Sequence, residues 1–186
     1  MAESWLGRVW VSDQSVRGGG GSECGDSELE GEERFARVVG SVNADGAGAA
    51  YDEVVSAIQN RKVTRVAIYG HSHGGGATYD LGERLDANRG TIGTFTLRFT
   101  AYVDAIENDS DYDMNSELRL PPSTTYHMNY YQTNDWPLRG GAVPGANENP
   151  NVNTTQWGQN LSHGTIDNDV NVIKAVRDRM IQQMQP

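Results

Sequence analysis

The segment VTRVAIYGHSHGGGATYDLGERL, residues 63–85, limits the possible fold more than any other stretch of the chain. Residues 63–69 are β-branched or apolar almost throughout, the pattern of a strand buried on both faces in a parallel sheet. After the glycines, Ala77, Leu81 and Leu85 recur every fourth residue and mark one face of a helix over about 75–88. A strand that gives way to a helix so quickly leaves room only for a tight turn. Gly70, Gly74, Gly75 and Gly76 suit a turn in which backbones approach closely.

Further elements are read outward from this unit. LGRVWV (6–11) reads as a short buried strand, followed by a glycine-rich loop, DQSVRGGGGSECGDS, that is either a linker or a functional loop at a strand end. Ser27 with Glu30 is a capping-box signal. With Leu29, Phe35, Val38 and Val39 it predicts a helix over about 27–39. Ala50, Val54, Ala57 and Ile58 predict another over about 48–60. GTFTLRFTAYV (93–103) alternates, with Phe95, Leu97, Phe99, Ala101 and Val103 on one face, and predicts a strand buried mainly on one side. TTYHMNYY (124–131) alternates again. Residues 132–168, rich in Asn, Gly and Pro, read as a long loop with room for a short hairpin. A last helix begins near Asn168 with Ile173, Val176, Met180 and Met184 as its apolar stripe. This order of elements predicts an α/β fold in one domain spanning 1–186, a three-layer sandwich around a mostly parallel sheet. Sites in such sheets lie at the carboxyl ends of the strands.

Composition narrows the function classes. The formal net charge is −10 and the pI about 4.7, which disfavours nucleic acid and anionic membranes as partners. No apolar run approaches the roughly 18 residues of a membrane span. The N-terminus lacks the basic and apolar regions of a secretory signal, so a cytoplasmic location is expected. The single cysteine, Cys24, excludes an intramolecular disulfide and a multi-cysteine metal site.

The turn itself, GHSHGGG, admits two chemistries. Around Ser72 it fits G-x-S-x-G, and the strand before and helix after are what a nucleophile elbow requires. The backbone N–H of His73, at the helix start, would then donate to a developing oxyanion. Around its histidines it fits the G-H-x-H of metal-dependent phosphoesterases, with His71 and His73 as ligands. Such a site needs several more Asp, Asn or His ligands, and no histidine precedes His71. A zinc held by His71, His73 and His163 is the reduced form of that reading.

A serine hydroxyl needs a base. Of four histidines, His71 and His73 flank Ser72 and would point away from it, and His127 falls inside a strand and reads as structural. His163, in the loop LSHGTID before the last helix, is the candidate base. The acid that orients it is Asp104, at the end of strand 93–103, with Asp135 as its rival. Asp167, close to His163 in sequence, reads as a helix cap. Trp136, Trp157, Tyr130 and Tyr131 are candidates for an apolar pocket or for ordinary core.

VAIYGHSHGGGATYDL, AYVDAI and SHGTID, in the chain order Ser, Asp, His, resemble the α/β-hydrolase superfamily of lipases and esterases, over roughly 60–180. The segment MNYYQTNDWPLRGGAVPGANENPNV is similar to that of a bacterial branch of small lipase-like hydrolases. The resemblance implies a reduced α/β-hydrolase fold, with Ser72 as nucleophile, His163 as base and Asp104 as acid. It also implies a second oxyanion donor on the loop after the first strand, the backbone N–H of Asp13 or Gln14. The implied activity is that of a carboxylesterase or lipase on a small-molecule ester, with no cofactor. A catalytically silent α/β binding domain and a phosphoesterase using His71 and His73 are the competing readings.

Overall fold

The computed structural model describes residues 7–12, 35–109, 114–156, 158 and 160–185. The apolar segment after residue 63 forms β3 (Arg65–His71), in the middle of a five-stranded sheet. With β1 (Gly7–Ser12), β2 (Phe35–Gly40), β4 (Thr96–Val103) and β5 (His127–Tyr130), the spatial order is β2-β1-β3-β4-β5. Strands β3, β4 and β5 run parallel. Strand β1 is antiparallel to both neighbours. The chain thus has the general α/β architecture predicted, but parallel pairing between neighbours is confined to β3, β4 and β5, and β1 runs against the rest of the sheet.

Helices cover both faces. On one lie α1 (Ala49–Arg61) and α2 (His73–Ala87), whose Val54, Ala57, Ile58, Leu81 and Leu85 pack with Val66, Ile68 and Leu97. On the other lies α5 (Val170–Met184), whose Val172, Val176, Met180 and Met184 pack with Ala67, Phe99, Ala101 and Met128. Two short helices, α3 (Arg89–Ile92) and α4 (His163–Ile166), complete the set described. Each of the larger of these side chains (Val, Leu, Ile, Phe or Met) taken out of water contributes about 1.5–3 kcal/mol. Strand β3 serves both layers through its period of two: Val66 and Ile68 face α1 and α2, and Ala67 faces α5.

Strand β4 breaks that period. Val66 pairs with Leu97 but Ala67 pairs with Phe99, so Arg98 is an extra residue at a bulge. The bulge reverses the faces beyond it. Leu97 packs on the α1–α2 side, whereas Phe99, Ala101 and Val103 pack on the α5 side. The predicted single apolar face is therefore split. The strand is also buried on both sides at its carboxyl end, where Thr100, Ala101 and Tyr102 are wholly covered.

Three other expectations are corrected. Residues 35–39, the end of the helix expected over about 27–39, belong instead to β2, which pairs with β1 from Gly7↔Gly40 to Ser12↔Phe35; the capping signal at Ser27 and Glu30 lies outside the described residues. A short apolar run fits either period, and pairing with β1 decides it. In α5 the buried stripe is Val172, Val176, Met180 and Met184, each four residues from the next, while Ile173 is half exposed. Residues 147–153 form no hairpin of their own. They run beside β5 through parallel bridges Met128↔Glu148 and Tyr131↔Asn151. Asparagines at every second position hold this edge. Asn147 Oδ1 accepts from His127 N, Asn149 Oδ1 from Asn129 Nδ2 and Asn153 Oδ1 from Thr133 N.

Candidate active site

Ser72 sits between β3 and α2, with φ 58° and ψ −133°. A non-glycine residue at positive φ is strained and persists only where its surroundings hold it. Here they do: Ser72 N donates to Val103 O at 3.2 Å, and Ser72 O accepts from Ile106 N at 3.0 Å and Gly75 N at 2.8 Å. The serine peptide is thereby stitched to the end of β4. The glycines permit the approach. A Cβ on Gly70 would overlap the Gly74 carbonyl, and one on Gly75 would lie 2.9 Å from Ala105 Cα.

Asp104 follows β4 directly, also at positive φ (50°), and its N–H donates to Tyr130 O at 2.7 Å. The carboxylate is fully buried and accepts four hydrogen bonds. Oδ1 takes Gln132 N at 3.1 Å and Gly140 N at 2.6 Å; Oδ2 takes Gln132 Nε2 at 2.8 Å and His163 Nδ1 at 2.7 Å. Burial without such donors would be costly.

His163 opens α4, where Ser162 and Thr165 form a capping box. Its Nε2 lies 2.9 Å from Ser72 Oγ. Because the Asp104 carboxylate can only accept, Nδ1 carries the proton, which leaves the Nε2 lone pair to receive the serine hydroxyl. Three residues expected from sequence to work together, Ser72, His163 and Asp104, are joined in one buried hydrogen-bonded chain from three separate loops at the carboxyl edge of the parallel strands. Asp135, the rival acid, does not reach the imidazole nitrogens. Its Oδ2 accepts from the His163 backbone N–H at 3.3 Å.

His73 is the first residue of α2, so its N–H has no carbonyl a turn earlier to bond and points out of the helix start. Burial, together with the neighbouring His163, lowers the His73 pKa, against a smaller upward pull from Asp109. Asp13 and Gln14, the second oxyanion donors implied by the resemblance, lie outside the described residues, as do Cys24 and Trp157. Of the expected pocket aromatics, Tyr130 belongs to the core under α5, whereas Trp136 is exposed.

His71 does not point away from the site. Its Nε2 donates to the His163 carbonyl at 2.8 Å, and Nδ1 lies 3.6 Å from Asp167 Oδ2. Among the described residues, no group of three or more His, Cys, Asp or Glu is arranged to hold a metal ion, so the G-H-x-H ligand set is not assembled. Nor is any helix among them long and apolar enough to cross a membrane. His127 is buried, as expected for a structural histidine, with Nδ1 2.8 Å from Thr100 Oγ1. Three residues of the site escaped the sequence reading: His71 as a partner of His163, and Gln132 and Gly140 as donors to Asp104. Only the placement of Gln132 just beyond a strand end hinted at its role.

Comparison of the chain with protein-family models, with curated proteins and with solved structures gave no match.

Proposed function

We propose that the protein is a serine hydrolase of the carboxylesterase or lipase type, built on a reduced α/β-hydrolase fold. The observation that carries this reading is the chain Ser72 Oγ···His163 Nε2 at 2.9 Å and His163 Nδ1···Asp104 Oδ2 at 2.7 Å, with its serine on a strained strand-to-helix turn. Support for the superfamily comes from the order Ser, Asp, His along the chain and from the elbow between β3 and α2. The antiparallel pairing of β1 with β2 and the five-stranded sheet among the described residues, against eight strands in the full superfamily sheet, favour a reduced version.

In the proposed mechanism, Ser72 Oγ attacks the ester carbonyl while His163 Nε2 takes its proton. The carbonyl π electrons move to oxygen, and the His73 N–H stabilises the resulting oxyanion at the positive end of α2. As the tetrahedral intermediate collapses, His163 returns the proton to the departing alcohol and Ser72 retains the acyl group. Water, deprotonated by His163, then attacks the acyl carbon; the bond to Ser72 Oγ breaks, His163 returns the proton to Oγ, and the acid is released. Asp104 holds the imidazole tautomer throughout and balances the imidazolium charge.

The test is turnover of a short-chain aryl ester together with labelling by a fluorophosphonate. The expected result is an adduct on Ser72 and loss of both signals in Ser72→Ala, on the order of a millionfold in kcat. Undiminished turnover in that variant would overturn the assignment. A wild type that neither turns over the ester nor labels would favour a silent binding domain.

A further inference from the structure

His163 is held at its backbone as well as at its ring. Its N–H donates to Asp135 Oδ2 at 3.3 Å and its carbonyl accepts from His71 Nε2 at 2.8 Å. The imidazoles of His71 and His163 lie against each other, centroids 4.8 Å apart and planes tilted by 36°. His71 is the last residue of β3 and immediately precedes Ser72. The strand that carries the serine is thus fastened directly to the histidine that faces it, across 92 residues of sequence.

The clamp answers a mechanical need. Helix α4 is a single turn of four residues, too short to be stable by its own hydrogen bonds, and its capping box is exposed. Something outside α4 must fix the imidazole. A carbonyl oxygen accepts only, so Nε2 of His71 carries a proton in any charge state. The groups that bias its charge are Asp167, His163 and Asp104. Burial dominates and holds the His71 pKa below its ordinary value, Asp167 pulls it upward, and His163 pushes it down. A neutral His71 places no second cation beside the imidazolium that would form on His163.

We propose that His71 is a positioning residue for His163: its Nε2–H grips the His163 carbonyl and its ring backs the imidazole, keeping Nε2 of His163 aimed at the Ser72 hydroxyl. The inference rests on reading Ser72 and His163 as nucleophile and base.

The test compares wild type, His71→Ala and His71→Gln in the full chain. The readouts are kcat and KM for a short-chain aryl ester, the fluorophosphonate labelling rate of Ser72, and the melting temperature. In His71→Ala, kcat and the labelling rate fall together by about 10–100-fold while KM stays within about threefold. In His71→Gln, an amide N–H offered from the same strand position restores most of that loss. Labelling of His71→Ala within about twofold of wild type, equal losses in the Ala and Gln variants, or a loss confined to KM would each overturn the proposal. If His71→Ala does not fold, His71→Asn, whose shorter amide stops short of the carbonyl, replaces it against His71→Gln. A wild type without a Ser72-dependent adduct ends the hydrolase reading itself. A wild type that labels, beside a His71→Ala that labels equally fast, ends only the role of His71.

Discussion

The amide of Gly140 donates to Asp104 Oδ1 at 2.6 Å, and a Cβ on that glycine would lie 2.5 Å from the same oxygen. Buried carboxylate and loop are fitted to each other so closely that no side chain can come between them. Gly140→Ala must displace the loop or the carboxylate, since its Cβ would also meet Tyr131 Cβ at 2.8 Å. The expected outcome is a loss of about tenfold or more in kcat. At Gly141 the nearest atom is the flexible end of the exposed Leu118 side chain, so Gly141→Ala should stay close to wild type. Steady-state kinetics on the two variants checks the contrast.

Asp104→Asn and Asp135→Asn should separate sharply. Every partner of the Asp104 oxygens is a donor, so an amide NH2 there meets an N–H however it is turned, and His163 is driven to the wrong tautomer. A fall on the order of 10⁴ in kcat is expected. Among the described residues the Asp135 carboxylate accepts only from the His163 backbone N–H, at 3.3 Å, and an asparagine oxygen still accepts it, so about tenfold or less is expected. Measuring kcat for both on one ester decides it, and the reverse order would make Asp135 the acid.

Ser72 stores strain that its function would require. At φ 58° and ψ −133° a glycine is at ease and an alanine is not. Ser72→Gly and Ser72→Ala should be equally inactive, but the glycine variant should be the more stable by about 1–2 kcal/mol. Denaturant unfolding of the pair measures the difference. A glycine variant no more stable than the alanine one would show the turn to be unstrained.

Two buried groups give the stability opposite dependences on pH. His127 is wholly covered, and burial lowers its pKa from 6.5 to about 3. The unfolded chain therefore binds a proton that the folded chain refuses. Stability from this residue is complete above pH 6.5 and is lost as the pH falls toward about 3. Thermal melts of His127→Gln should lose that part of the acid sensitivity.

Asp80 works the other way. Burial raises its pKa to about 7, against the bond from Asn108 Nδ2 and the more distant Arg119 guanidinium. The folded chain holds the proton longer, so its contribution is complete below the ordinary carboxylate value of 3.8 and is lost as the pH rises through about 7. Asp80→Asn should therefore melt higher than wild type at pH 8, with the gap closing by pH 4. A lower melting temperature at pH 8 would count against a strained carboxylate at this position.

The unit β3–Ser72–α2 was legible because three independent signals agree: a continuous apolar strand, glycines where backbones meet, and a helical period after them. Asp104 was legible as the acidic residue ending the next parallel strand, and His163 as a histidine left on a loop. Three features were hidden because they depend on partners distant in sequence. Phe35, Val38 and Val39 carry no sign of whether they pair with a strand, and only β1 decides it. Arg98 is an ordinary residue in an alternating run, and its bulge appears only against Val66 and Ala67. The role of His71 depends on a backbone oxygen, and no residue identity at position 163 announces a carbonyl acceptor. Motifs show which side chains are present; they are silent about main-chain atoms that fold back to meet them.

The alternate asparagines beside β5 have a consequence for association between molecules. An outer strand normally presents an open row of amide and carbonyl groups on which a second chain can template. Here that row is already occupied by the protein's own residues 147–152: Asn129 N meets Glu148 O, Val152 N meets Tyr131 O, and the His127 peptide is taken from both sides by Asn147. A second chain that paired directly with β5 would first have to displace residues 147–152.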